Sequence, residues 1–300
     1  MGHVWFTLPM ICAVCLAATP VPSLAPVTAR PEPITEAPTS TDIGPVTAAK
    51  LAALAKSDPI ALLDACRRKY TAEYRGYRAT MIKRERINGT LHDEEEIRVA
   101  VREQPYAVLM LWQRGSRDSQ VAGLKLGKIE GVLYALGENK GSVIVWRPTA
   151  IFTQKSVDPA SDSARATARF TLTEGGLSHA IERTHRSWSE GRERGLAKVT
   201  YVETRAVPEV GGRVCHIVRK ETAQPELDPF LMSEKMPDPA TRSLDAFSKV
   251  DVMLDAETGL QVGSIIRRAD GELVASYFFR DVQLNPAFDK NQFKPTALKK

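Results

Sequence analysis

Few side chains in this sequence of 300 residues have the types and spacing of a catalytic or metal-binding site. Of the five histidines, only His179 and His185 fall within one predicted helix, and a separation of six residues places them on opposite sides of it. No cluster of metal ligands is therefore expected. Walker loops and the GxGxxG, GxSxG and HExxH motifs do not occur in the sequence, so we predict no catalytic residues and no cofactor.

An acidic run, Asp93 to Glu96, is the most concentrated group of chemically active side chains. Such a run could bind calcium or supply an acid–base pair. It follows a predicted hairpin turn at Asn88-Gly89 and faces the basic segment Lys83 to Arg86 across that hairpin. We therefore interpret it as cross-strand charge pairing on a solvated face.

Four cysteines occur, and two of them, Cys12 and Cys15, lie inside an apolar N-terminal run that excludes a metal or redox role for their CxxC spacing. Cys66 falls in a predicted helix and Cys215 in a predicted strand. In an exported protein these two could form one disulfide, and two buried free thiols are the alternative.

Large apolar side chains are the remaining candidates for a functional site. They lie at alternate positions of one predicted strand, where neighbours point to opposite faces, and in the last predicted strand. If these faces are concave, the side chains could line a pocket for acyl chains; the alternative is that they only fill the core. The candidates are Tyr106, Val108, Met110, Trp112, Tyr277 and Phe279.

The N-terminal part of the chain indicates export. Val4 to Ala18 form an apolar run of about 15 residues, typical of a signal peptide and short of the roughly 20 needed to cross a bilayer. We predict a signal peptide over residues 1–18, with a retained N-terminal anchor as the alternative. Residues 19–47 are rich in proline and predict a disordered linker, and residues 48–300 predict a single domain.

Apolar periodicity predicts an α+β fold. Helices are predicted over residues 47–56, from Pro59 onward and over 177–192. The helix from Pro59 has the clearest signals, because Ser57-Asp58-Pro59 is a capping sequence and apolar side chains recur after it at helical spacing. Strands are predicted at 77–87, 95–102, 106–113, 129–136, 143–147, 198–206, 213–221 and in a meander over 250–284. Short turns between strands favour one strongly curved antiparallel sheet, an open or half β-barrel, with helices covering its concave face.

Two stretches of sequence also carry a family resemblance. The first comprises Leu254-Asp255, Thr258-Gly259-Leu260, Asp270 to Leu273 and Tyr277 to Pro286, and the second comprises Tyr77 to Gly89 and Arg102 to Val108. The first is similar to the C-terminal part of the LolA-like superfamily of bacterial lipoprotein carriers. The second resembles a secreted bacterial branch, the domain of unknown function 1571 family. The resemblance implies a LolA-like half-barrel with helices across its mouth and carries no catalytic set.

These observations predict an exported protein of the periplasm or cell envelope that is not an enzyme. We expect it to bind a lipid, a lipoprotein or another long apolar ligand between sheet and helices, with an envelope protein as a further partner. One alternative is a tethered module with a filled core that binds a protein or wall polymer; another is a hydrolase assembled by folding from Asp, Glu and His. The net charge of +5 is too dispersed to predict nucleic-acid binding.

Overall fold

A computed structural model describes residues 46–87, 89–116, 118–121, 124–148, 153–161, 164, 168–228 and 246–299, which all belong to one compact unit, 43–300. The predicted signal peptide and residues 19–45 of the predicted linker lie outside the described residues. The described helices are α1 (Ala48–Ser57), α2 (Pro59–Glu73) and α3 (Leu177–Glu193). The strands are β1 (Gly76–Ile87), β2 (Thr90–Leu91), β3 (Glu95–Arg102), β4 (Ala107–Arg114), β5 (Asp118–Val121), β6 (Leu124–Lys128), β7 (Gly131–Ala135), β8 (Val143–Trp146), β9 (Gln154–Val157), β10 (Ala197–Val207), β11 (Arg213–Thr222), β12 (Lys249–Asp255), β13 (Gln261–Arg267) and β14 (Leu273–Leu284).

Helix α2 begins where its sequence predicts. Asp58 is the N-cap residue, and its carboxylate accepts hydrogen bonds from the backbone N–H groups of Ile60 and Ala61. Pro59 occupies the first turn, where its missing N–H costs no helical hydrogen bond. The predicted capping signal is confirmed.

Twelve strands form one antiparallel sheet in the order β10-β11-β12-β13-β14-β1-β3-β4-β7-β8-β9, with β2 paired to β1; β5 and β6 pair separately. The sheet is curved and does not close, because β10 and β9 are its edges. The C-terminal strand β14 pairs with β1, the first strand of the chain, so the two ends of the domain meet at the centre. The predicted α+β fold with a curved antiparallel sheet is confirmed.

Along the direction of its strands, the sheet has two ends that carry different side chains. Backbone pairing places Tyr77 of β1 beside Val101 of β3, and Val101 beside Val108 of β4, at what we call the Tyr77 end. The opposite end, which we call the Glu95 end, contains the start of β3 and the ends of β1, β4 and β8. This distinction matters because polar side chains gather at only one of the two ends of the cavity described below.

The apolar side chains pack on both faces of the sheet. On the concave face, Leu62 and Leu63 of α2 and Ile181 and Trp188 of α3 pack against strands β11 to β13. On the convex face, the C-terminal segment packs Phe293, Ala297 and Leu298 against Leu109 of β4 and its neighbours. Phe288 and Phe293 contact each other edge to face at 5.0 Å, as expected for a tail anchored to the body of the domain.

The turn after β12, from Asp255 to Leu260, depends on the side chain of Asp255 and on the backbone conformation of Gly259. Asp255 Oδ1 accepts hydrogen bonds from the N–H groups of Glu257 and Thr258 and from the Thr258 hydroxyl. Gly259 has a φ of +72°, a conformation that side chains disfavour. A Cβ atom there would lie 3.3 Å from Cys66 Sγ, so the turn also packs closely on α2.

Candidate functional site: a cavity beneath helix α3

A cavity of about 670 Å³ lies between the concave face of the sheet and α3. This volume falls in the range of about 300–1,000 Å³ that is typical of small-molecule sites. Its walls are mainly apolar. They are contributed by α3, by the segment before α3 and by every strand of the large sheet except β10. Representative lining side chains are Met81, Met110, Val132, Val143, Val145, Val157, Phe170, Leu172, Trp188, Val250, Val252, Ile266 and Phe279.

The structure brings four of the six candidate residues together in this cavity. Met110 and Trp112 line it from β4, and Tyr277 and Phe279 line it from β14. Val108 is fully buried on the same face of β4, but it packs at the Tyr77 end and is not in the cavity wall.

Tyr106 does not line the cavity; it fixes the helix that covers it. Its hydroxyl donates a 2.7 Å hydrogen bond to the carbonyl of Gly175, and its ring meets His179 edge to face at 4.8 Å. Nearby, the N–H of Leu177 donates to the Tyr77 hydroxyl at 3.2 Å. The first turn of α3 is therefore anchored over the Tyr77 end of the sheet by two tyrosines.

A second anchor joins α3 to α2 through Glu103, which follows β3. The hydroxyl of Ser178 in α3 donates to Glu103 Oε2 at 2.9 Å, and the hydroxyl of Tyr70 in α2 donates to Glu103 Oε1 at 2.6 Å. Of these two helices, α3 contributes to the cavity wall, whereas α2 packs on the closed part of the core.

Charged side chains enter the cavity as a buried network at the Glu95 end. Lys83 Nζ lies 3.0 Å from Glu85 Oε2 and 3.5 Å from Glu95 Oε2. The hydroxyl of Tyr277 donates to Glu85 Oε1 at 2.6 Å, and the indole N–H of Trp112 donates to Glu95 Oε2 at 2.7 Å. Burial raises the pKa of Tyr277 and the adjacent Glu85 raises it further, so the phenol remains a donor.

The interpretation of the acidic run as wholly solvated is wrong for Glu95. Lys83 and Glu95 are cross-strand partners, as the charge-pairing interpretation requires. Both side chains, however, lie on the concave face and are less than 10% exposed, whereas Arg114 pairs with Glu94 and Glu96 at the surface. The alternation of Met81, Lys83 and Glu85 along β1 is the sequence signal that could have placed these charges inside the cavity.

A second buried ion pair borders the cavity. Lys220 of β11 lines it, and its Nζ lies 2.6 Å from Asp228 Oδ2, with both side chains 1% exposed. Burial lowers the pKa of Lys220, while the neighbouring carboxylate opposes that shift. The pair holds the segment that follows β11, as far as Asp228, against the sheet.

Comparison with known families decides where the chain belongs. Residues 74–299 match the family described as "Protein of unknown function (DUF1571)", well over half of the chain. The chain is a member of the DUF1571 family. All of the described residues that line the cavity fall within the matched part, whereas α1 and α2 precede it. No curated protein matches the sequence.

Several solved structures are distantly similar in fold to this DUF1571 protein. Lipoprotein LppX from Mycobacterium tuberculosis is 12% identical, with a TM-score of 0.38 over 77% of this chain and 98% of that one. A LolA superfamily protein from Nitrosomonas europaea is 8% identical, with a TM-score of 0.29 over 78% and 98% of the two chains. The MucA/MucB complex of Pseudomonas aeruginosa gives 14% identity and a TM-score of 0.40 over 77% of this chain and 59% of that one. These likenesses carry no conclusion about function.

Cys66 and Cys215 are both buried free thiols in the structure. Cys66 lies in the cluster formed by α1, α2 and strands β11 to β13, and Cys215 lies in the cluster at the Tyr77 end. Burial raises the pKa of each thiol to about 12. Both therefore stay protonated at neutral pH, in a form that is a poor nucleophile.

Within the described ranges, no three His, Cys, Asp or Glu side chains are grouped so that they could hold a metal ion. None of the helices described is long and apolar enough to span a membrane. The distinctive chemical feature of the site is therefore an apolar cavity with a charged, hydrogen-bonded network at one end.

Proposed function

We propose that this protein is exported to the cell envelope, where it binds a lipid, a lipidated protein segment or another long apolar ligand in the cavity beneath α3 and catalyses no reaction on it. The observation that carries the proposal is the open space of about 670 Å³ between apolar walls. Export is proposed from the apolar run Val4 to Ala18, and an envelope protein that delivers or receives the ligand is the partner we expect.

Burial of an acyl chain supplies the binding energy in this proposal. Each methylene transferred from water contributes about 0.8 kcal/mol, so burying about ten contributes roughly 8 kcal/mol before the costs of association. Met110, Val132 and Phe279 provide apolar surface on three different strands of the wall. No reactive side chain is needed for such binding.

The two alternatives fit the cavity less well. A module with a filled core would place packed side chains where the structure has open space between β4, β14 and α3. An enzyme would use the two carboxylates that converge on Lys83. Here Glu85 and Glu95 already accept hydrogen bonds from Lys83, Tyr277 and Trp112, an arrangement typical of a network that holds strands together.

The test is to extract the purified protein and identify co-purifying lipids by mass spectrometry, and then to titrate the delipidated protein with a fluorescent fatty acid. We expect co-purifying lipid and saturable uptake, both weakened by Trp112→Ala and Phe279→Ala, which remove parts of the wall. Leu136→Ala is the matched control, because Leu136 is exposed and not part of the cavity wall. Absence of both co-purifying lipid and uptake would contradict the proposal.

A further inference from the structure

One polar side chain, that of Gln261 in β13, lines the cavity apart from the charged network. It is 8% exposed, and its Oε1 atom is buried and accepts no hydrogen bond from the described residues. Most buried polar side chains have a hydrogen-bond partner, because an unpaired one has given up its bonds to water without replacement. A carboxamide of this kind in a cavity wall is therefore suited to a ligand that brings the hydrogen bond with it.

A shift in strand register turns Gln261 into the cavity. Ser264 lines the cavity three positions along β13, so in a regular strand Gln261 would point to the opposite face. Gly263 pairs with Met253 of β12. The next pair is Gln261 with Leu254, so one residue of β13 is skipped. An extra residue of this kind, a β-bulge, re-aims a side chain and is frequent beside functional sites.

The register also places Gln261 between the charged network and the Tyr77 end. Ser264 pairs with Tyr277, which belongs to the network. Gln261 lies two pairing steps beyond Ser264 toward the Tyr77 end, roughly 7 Å along the strand. Phe279, two residues beyond Tyr277 in β14, lines the cavity at the same level with apolar surface. An alkyl chain that lies along this wall therefore passes the carboxamide partway along its length.

A hydroxyl group pairs with a carboxamide in either orientation of the amide. The carboxamide has an accepting oxygen and a donating nitrogen, and a hydroxyl both donates and accepts hydrogen bonds. Rotation about the last side-chain torsion of Gln261 exchanges the oxygen and the nitrogen, so either atom can face the ligand. A hydrocarbon chain without a polar group offers neither a donor nor an acceptor.

We propose that Gln261 is a specificity-determining residue and that the ligand is an amphiphile with a neutral hydroxyl group on its alkyl chain, hydrogen-bonded to the Gln261 carboxamide. This inference rests on the proposed function and adds the class of chain that the cavity prefers. A hydroxyl that enters an apolar wall without a partner costs free energy, whereas beside Gln261 it exchanges a hydrogen bond to water for one to the protein.

The experiment uses isothermal titration calorimetry on the delipidated protein with octadecanoate and three hydroxylated octadecanoates. These carry one hydroxyl group near the carboxylate, at the middle of the chain or near the terminal methyl. We expect one of the three to bind about fivefold or more tighter than octadecanoate, as one net hydrogen bond implies. The others should bind more weakly than octadecanoate, because their hydroxyl groups meet apolar wall.

The variant Gln261→Met keeps the length of the side chain and removes its hydrogen-bonding atoms. The favoured hydroxylated compound should then bind more weakly than octadecanoate, and octadecanoate itself should bind no more weakly than to the wild type. In urea unfolding the variant should be at least as stable as the wild type, because no hydrogen bond within the protein is lost. Gln283→Met, at an exposed site of β14 outside the cavity wall, is the matched control and should keep the wild-type preference.

Equal binding of octadecanoate and its hydroxylated forms by the wild type, or a preference that Gln261→Met retains, would overturn the assignment and leave the cavity function standing. A Gln261→Met protein less stable than the wild type would do the same, since it would show that the carboxamide has a partner within the fold. Binding of none of these compounds would contradict the cavity function itself.

Discussion

The indole nitrogen of Trp112 donates a hydrogen bond of 2.7 Å to Glu95 Oε2, which lies 3.5 Å from Lys83 Nζ. This contact ties an apolar wall residue to the charged network inside the cavity. The sequence predicts Trp112 as an apolar lining residue, and the structure shows that its indole N–H also makes a polar contact. The same side chain therefore contributes both to the cavity wall and to the position of a buried carboxylate.

Replacing Trp112 with phenylalanine keeps an aromatic ring but removes the donor to Glu95. We expect the free energy of unfolding to fall by about 1.5–3 kcal/mol, the range for a hydrogen bond to a charged group. Urea unfolding followed by far-ultraviolet circular dichroism measures it. Trp146→Phe is the control, because Trp146 packs on the convex face. Equal losses in both variants would argue against a structural hydrogen bond at Glu95.

Asp228→Ala should destabilise the protein by about 3–5 kcal/mol, because it leaves the buried ammonium group of Lys220 without its partner. The double variant Lys220→Met/Asp228→Leu should recover most of that loss, since no buried charge remains. The comparison pair is Lys249–Glu221, whose side chains are 39% and 46% exposed, and Glu221→Ala should cost at most about 1 kcal/mol. A loss for Asp228→Ala no larger than for Glu221→Ala would show that the pair does not hold the segment after β11.

The turn at Asp255 should make stability depend on pH. Burial opposes ionisation of Asp255, but hydrogen bonds from Thr258 and the ion pair with Arg213 hold its pKa below the ordinary value of 3.8. A carboxyl group whose pKa is lowered on folding stabilises the folded state fully above its unfolded pKa and loses that contribution as the pH falls through its folded pKa. The contribution should therefore be present at pH 5 to 7, begin to fall below about pH 4 and be lost only at still lower pH.

Asp255→Asn tests this expectation in chemical unfolding at several pH values. The variant should be less stable than the wild type at neutral pH, and the difference should shrink as the pH falls below about 4. Asp289→Asn, at an exposed site in the C-terminal tail, should leave stability nearly unchanged. A difference between Asp255→Asn and the wild type that stays constant from pH 7 to pH 3 would exclude the assigned ionisation.

Much of the fold could be predicted from the sequence because its signals are local. The capping residues before α2, the period of two in β1 and β3 and the turn at Asp255 fix their elements within one or two residues. The short strand β9 was not predicted, since Gln154, Lys155 and Ser156 are exposed at a sheet edge and lack an apolar alternation. Yet β9 contributes Lys155 and Val157 to the cavity wall.

The site was only partly predictable because the direction of curvature is a property of the whole sheet. Sequence alternation separates the two faces of β4, but it does not say which face is concave, nor that α3 rather than α2 covers the cavity. For the same reason the sequence pattern predicts a solvated face for Lys83 and Glu95, which are buried, although the cross-strand pairing it predicts is correct. Tyr106 was placed on the correct strand face, but its contact with Gly175 depends on a segment 69 residues away.

Filling the cavity is the most direct test of the central claim that its open volume holds an apolar chain. Val132→Phe adds an aromatic ring inside the wall, and Val202→Phe makes the same change at an exposed site on edge strand β10. With folding verified for both by circular dichroism, each delipidated protein is titrated with the same fluorescent fatty acid. We expect affinity to fall about tenfold or more for Val132→Phe, since roughly two methylenes of burial would be lost, and to stay at the wild-type value for Val202→Phe. Wild-type affinity in a folded Val132→Phe protein would contradict the account.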